Sequence, residues 1–326
     1  MTAQNSSITA HPFARLPRLS PGVLVMAPLF IVLMTIDVAL QPEILEKSQI
    51  ALTIQTAMPL ILISAAQCIV LLTGGIDISV GGTMVVAGVL TATITGGGDH
   101  NAWLIGLIPL AGLALGAVNG ALIVIGRFEP FVATLGTWAI YNGIALQVLP
   151  SAGGTTPAGL TAWAQDTTSL LPTSILLLIL ALAFWWYWRS TTLCRRIYSI
   201  GSDEIRAGLS GINIARTKFS VYAIAGLLAS FAGIYLALIT GTGDATIGNG
   251  YILSSVEACV LGGVSLSGGA GGVGLAIAGA FTLTFIEGIA SVLEMPPWVS
   301  VVLSAGLLLI VIGIQARLGR NTENGD

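Results

Sequence analysis

The sequence predicts an all-α, polytopic membrane protein of about ten transmembrane helices, with glycine-rich broken segments and both termini cytoplasmic. Three observations predict it. The chain of 326 residues is 55% apolar and only 8% charged, where an ordinary soluble domain carries roughly 25% charge. Apolar stretches near the length of one crossing, about 20 residues, recur from one end to the other. The basic residues also segregate to one side of the resulting helix order, as expected when Lys and Arg are retained on the cytoplasmic side.

Residues 1–20 are polar, carry Pro12, Arg15, Pro17 and Arg18, and read as a cytoplasmic tail. The run over 22–40 is too long for a typical signal-peptide core, no A-x-A site follows, and further spans come after it; it reads as a retained first helix. The remaining spans fall near 50–72, 79–96, 102–125, 131–149, 171–188, 219–240, 251–266, 270–291 and 298–315. One transmembrane domain, 21–316, and a cytoplasmic tail, 317–326, follow. With the N-terminus inside, eleven of the twelve basic residues fall inside and only Lys47 outside. The Pro150–Leu170 connection, which lacks Lys and Arg, falls outside.

The longest polar stretch is Arg189–Lys218, with Arg189, Arg195, Arg196, Arg206, Arg216 and Lys218. It reads as a cytoplasmic loop whose Cys194 is open to thiol reagents from that side alone. Within it, Ser202–Asp203–Glu204 caps a short helix with body Ile205–Ser210 and stop Gly211. Two readings stand: a solvated loop that fixes topology, or a helix that transmits force from a separate cytoplasmic motor.

Packing signals come next. Gly112, Gly116 and Gly120 repeat every four residues, a spacing that lets another backbone approach one helix face, and Asn119 lies beside that seam. Pro59, inside the second span, is placed to kink it. Two stretches match in outline, Leu72–Gly82 and Leu261–Gly269: a glycine pair, a short apolar piece with serine, a second glycine pair, then a helix. Paired interruptions of this kind point to internal duplication and to broken helices along a pathway. Gly269–Gly274 fits GxGxxG by count, but no βαβ context surrounds it and a dinucleotide site is rejected.

Charges inside spans are costly and normally face protein or water. Asp77, in the first glycine-rich break beside Ser79, either serves freed backbone N–H groups or meets a polar solute. Glu257 either lines a pathway or is neutralised by a neighbour's hydroxyl. Glu287 sits near a span end, where hydration accounts for it, and Asp37, likewise near an interface, reads as inert. Neither lysine lies in a GxxxxGK[ST] loop, so the chain has no phosphate cradle of that type. The two lone histidines and three scattered cysteines suggest no enzyme active site, metal centre or disulfide framework. A net charge of −3 gives no basis for nucleic-acid binding.

Four motifs in register, Thr73–Gly81, Pro130–Gly136, Leu209–Ser210–Gly211–Ile212 and Leu261–Gly269, resemble the ribose-type sugar permeases, the membrane subunits of bacterial ATP-binding-cassette importers. The resemblance covers about 50–315. It implies an inner-membrane permease, paired with a second copy or a paralogue. A cytoplasmic ATPase that binds ATP and Mg, and a periplasmic solute-binding protein, complete the implied assembly. This chain then has no cofactor and no ATPase activity of its own. Coupling to the ATPase falls on Asp203, Glu204, Arg206, Leu209, Ser210, Gly211 and Ile212, and the pathway on Asp77, Ser79, Asn119 and Glu257. Three positions depart from the family pattern: Arg206–Ala207–Gly208 stands where Ala-Ala-Arg is common, and Glu129 and Glu257 stand where neutral residues are usual. Related importers for autoinducer-2, nucleosides or branched-chain amino acids are the nearest alternatives, and an ion-coupled secondary transporter is the alternative of a different class.

Overall fold

The computed structural model describes residues 21–323, with side chains described over 26–314. The N-terminal tail and the side chains of Arg317 and Arg320 lie outside the described residues. Within them the chain is helical, in the order α1 (Pro21–Leu40), α2 (Lys47–Leu71), α3 (Ser79–Thr93), α4 (Ile108–Val124), α5 (Pro130–Val148), α6 (Ala158–Ala164), α7 (Thr173–Trp188), α8 (Thr192–Ser202), α9 (Glu204–Leu209), α10 (Ile214–Thr240), α11 (Gly248–Leu261), α12 (Val273–Val292) and α13 (Pro297–Glu323). Two 3-10 turns, Pro42–Leu45 and Asp99–Leu107, lead into α2 and α4.

A helix apolar on every face must sit inside a bundle or face lipid. α2 takes the inside place, most of its length being buried, from Ala57 to Leu71, around Met58, Ile61, Ile63 and Leu71. α10 runs beside α2, α3 and α4, and small residues set how closely. A methyl group on Gly116 would overlap the Tyr222 carbonyl and lie 3.0 Å from the Gly226 nitrogen; one on Gly112 would lie 2.6 Å from the Gly226 carbonyl oxygen. Gly120 meets Phe219 Cα at 3.0 Å in the same sense. The three glycines thus face α10 in direct backbone contact, where dispersion between backbones does the packing.

Six described helices are long and apolar enough to cross a membrane: Lys47–Leu71, Asp99–Val124, Pro130–Val148, Ile214–Thr240, Val273–Val292 and Pro297–Ile314. α7 and α8 together make a further candidate bent by 73°. Helices stand at all ten stretches expected to span. However, α3 has 15 residues and α11 has 14, short of the length for one crossing. The physical reason is that hydropathy does not separate a long helix from a short one continued by a glycine-rich turn. The stretches 79–96 and 251–266 each contain such a turn, at Gly96 and at Gly263, both in the left-handed region.

Charge is divided between the two ends of the bundle. Arg127, after α4, lies at the same end as α8, α9 and the start of α10, because α4 and α10 pack with Gly120 against Phe219. Lys47 lies at the other end, where its Nζ donates to the carbonyls of Ser169 (2.6 Å) and Leu170 (2.9 Å).

Candidate functional site

The polar stretch between α7 and α10 folds into two short helices. Thr191 caps α8 by accepting from the Cys194 N–H, and the spacing of Cys194, Ile197 and Ile200 gives α8 one apolar face, which is buried. Cys194 is only 1% exposed, so the expectation that it is open to reagents is corrected: its own helix face buries it. Asp203 caps α9 by accepting from the Arg206 N–H (2.9 Å) and also pairs with the Arg206 guanidinium at 2.7 Å. Glu204 pairs with Lys218 on α10 at 2.7 Å. Gly211, at φ 83°, ends the helix; its N–H donates to the Gly208 carbonyl and that of Ile212 to Ala207. Ser210 turns its hydroxyl back to the Arg206 carbonyl.

Tied down this way, α9 buries Ala207 and turns two large apolar side chains outward, Ile205 at 77% and Leu209 at 85% exposure. They are four residues apart and therefore on one face. Between α8 and α9 a cleft of about 300 Å³ is lined by Ser199, Asp203, Arg206 and Ile212. Ile205 was not singled out from the sequence, although its spacing from Leu209 was available there.

The two glycine-rich breaks share one geometry. α2 ends with Gly74 in the left-handed region, Gly75 N–H bonding Val70 and Gly74 N–H bonding Leu71. α11 ends with Gly263 in the same region, Val264 N–H bonding Cys259 and Gly263 N–H bonding Val260. Both are the paired closure in which a left-handed residue satisfies the last carbonyls. The structural equivalence is therefore Gly74 with Gly263, one residue off the register obtained by matching glycine pair to glycine pair.

The breaks also touch. The Gly269 N–H donates to the Leu72 carbonyl at 3.1 Å, and a methyl on Gly268 would lie 2.8 Å from the Gly74 nitrogen. Gly201 of α8 sits over the junction: a methyl there would overlap both the Leu72 carbonyl oxygen and the Gly269 nitrogen. Tyr198, one turn earlier, donates its hydroxyl to the Gly271 carbonyl at 2.6 Å. α8 thus rests on both breaks and is joined to α9 by the single extended residue Asp203. A cavity of about 400 Å³ beside this junction is lined by Thr73, Gly75, Glu204, Lys218, Tyr222 and Ser267.

Asp77, Ser79 and Asn119 come together just beyond the first break. Asp77 Oδ1 accepts from the Ser79 N–H (2.8 Å) and hydroxyl (2.6 Å). Asn119 donates to Ser79 Oγ at 2.5 Å and accepts from Thr137 at 2.6 Å. Thr134, one turn before Thr137, accepts from the Ile78 N–H. All five side chains are buried, so the start of α3 is pinned to α4 and α5 by a polar network that satisfies itself, the condition under which buried polar groups stiffen a fold. Thr134 and Thr137 are the members that sequence reasoning missed. Glu257 is not brought to this network. It lies on α11, 7% exposed.

Helices long and apolar enough to cross a membrane, with two helix breaks meeting beneath α8, define a polytopic membrane protein. Residues 49–312 match the family described as branched-chain amino acid transport system / permease component, and the chain belongs to that family. It is 32% identical to the ribose import permease protein RbsC of Escherichia coli, over 86% of this chain and 90% of that one. It is 31% identical to RbsC of Bacillus subtilis over 87% and 89%. It is also 32% identical to the autoinducer 2 import system permease protein LsrC of an Enterobacter species over 86% and 82%. No solved structure matches the chain.

Proposed function

We propose that this chain is the transmembrane permease of an ATP-binding-cassette importer for a monosaccharide or a similar small polyol. The observation that carries the reading is α9: an exposed apolar pair, Ile205 and Leu209, on a short helix joined through the single residue Asp203 to α8, whose Gly201 bears on both helix breaks. An exposed apolar pair on a charged loop suits a protein partner, and a cytoplasmic ATPase is the partner that a chain without a phosphate cradle requires. ATP-driven movement of that partner shifts α8 and, through Gly201, the breaks at Leu72–Ser79 and Gly262–Gly272. Nucleotide and loaded binding protein then each favour one permease state, which is the condition for coupling.

In this reading α1, α3, α7 and α11 complete the bundle with the six candidate spans. This gives ten passages, with α9 and both termini on the cytoplasmic side of a bacterial inner membrane. The buried network of Asp77, Ser79, Asn119, Thr134 and Thr137 holds the first break in register rather than binding solute. A second copy or a paralogue completes the permease, and a periplasmic binding protein delivers the solute. The ribose and autoinducer 2 permeases among the relatives favour hydroxylated solutes. Vesicles carrying the chain with the ATPase and binding protein encoded beside it are expected to accumulate D-ribose or a related sugar only with ATP. Accumulation driven by a sodium or proton gradient without ATP would overturn the proposal in favour of a secondary carrier.

A further inference from the structure

A cavity of about 430 Å³ with a mixed polar and apolar lining lies between α1, α2 and α12. Thr53, in its wall, precedes Leu71 on the same helix by 18 residues, about 27 Å at 1.5 Å per residue. That is close to the ~30 Å hydrocarbon thickness, so the cavity opens at the membrane face opposite α9. Its wall includes Asp37, Gln41, Glu43, Gln49, Thr53 and Glu287.

Asp37 is the unusual member. It is 3% exposed, and its Oδ1 has no hydrogen-bond partner, a costly condition for a buried carboxylate. The hydroxyl groups nearby do not relieve it. Thr53 donates to the Gln49 carbonyl, Thr56 to Leu52 and Thr284 to Ala280. Their protons are spent on their own helices and only lone pairs face the cavity. Among the described residues no Lys or Arg is in the wall. The wall therefore carries three carboxylates and three spent threonine hydroxyls; the Gln41 side chain is engaged with Asp37, which leaves the Gln49 amide and the Ser291 hydroxyl as donors, a surplus of acceptors that suits an occupant rich in hydrogen-bond donors and free of negative charge.

We propose that this cavity binds a neutral polyhydroxylated solute, with Asp37 Oδ1 accepting one solute hydroxyl and the Gln49 amide donating to a solute oxygen. The proposal deepens the importer reading and rests on it, since it makes the cavity a station of the solute on the outward side.

Thr56 lines the cavity and is exposed, whereas the natural cysteines are at most 1% exposed. A Thr56→Cys variant of the full transporter therefore gives a clean label with an impermeant thiol reagent. D-ribose is expected to slow that labelling several-fold, with leucine and potassium chloride ineffective. Adding Asp37→Asn is expected to weaken the D-ribose protection by about tenfold, the scale of one charged hydrogen bond, with the melting temperature reporting that the variant is folded. Gln49→Leu should weaken it in the same direction. Equal protection by potassium or leucine would overturn the polyol assignment, as would D-ribose protection unaffected by either substitution. Sugar uptake by the same vesicles separates the two readings: uptake without protection overturns the cavity proposal and leaves the importer standing. Protection without uptake supports the cavity and counts against the importer.

Discussion

Gly201 lies against the Leu72 carbonyl with no space for a methyl group between them. Both obstacles to a side chain at Gly201, the Leu72 carbonyl and the Gly269 nitrogen, are backbone atoms at helix breaks, so neither yields by a change of rotamer. Gly201→Ala is expected to lower stability by about 1–3 kcal/mol, as overpacking does, and to abolish uptake. Gly250→Ala, with nothing within 4 Å of the new methyl, is the control. Melting temperature and uptake of the two variants check this, and equal behaviour would remove Gly201 from the transmission path.

Asn119 serves two partners at once, Ser79 and Thr137. Asn119→Ala strands both in a buried site, and a loss of about 1–3 kcal/mol is expected. Because the network turns inward on itself, the folded fraction should keep the wild-type solute KM. A changed KM with unchanged melting temperature would return Asn119 to the solute pathway.

Topology needs reporters other than the natural cysteines. Leu170 is 96% exposed and lies at the Lys47 end, while Arg195 is exposed on α8. Leu170→Cys is expected to react with an impermeant reagent in intact cells, and Arg195→Cys only in inverted vesicles. The opposite pattern would invert the bundle in the membrane.

The departure at Gly208 has a direct consequence. A methyl there meets only the flexible end of Ile214, at 3.2 Å, so Gly208→Ala should stabilise α9 by up to about 1 kcal/mol from helix propensity. Thermal melting of the purified chain checks the sign.

The helices were legible because apolar length is a local property, and so were the cap at Asp203 and the stop at Gly211. The seam glycines carried their face in their spacing but not the identity of α10 as the helix they meet. What the breaks touch depends on residues nearly two hundred positions apart: neither the Leu72–Gly269 bond nor the seat of Gly201 leaves a mark on any short window. Asp37 lies near a helix end, where the sequence alone gives it no role. Its burial comes with the packing of α1 on α12, which is distant in the chain. Cys194 is different, since its spacing from Ile197 and Ile200 already marked a buried face.

The account turns on α9 as the handle for a separate ATPase. Its most direct test is solute-stimulated ATP hydrolysis by the reconstituted transporter with Ile205→Asp and Leu209→Asp together. Both side chains project outward, so the permease should melt as the wild type does, while stimulation falls by about tenfold or more, as expected for loss of two interface anchors. Wild-type stimulation in that double variant would contradict the account.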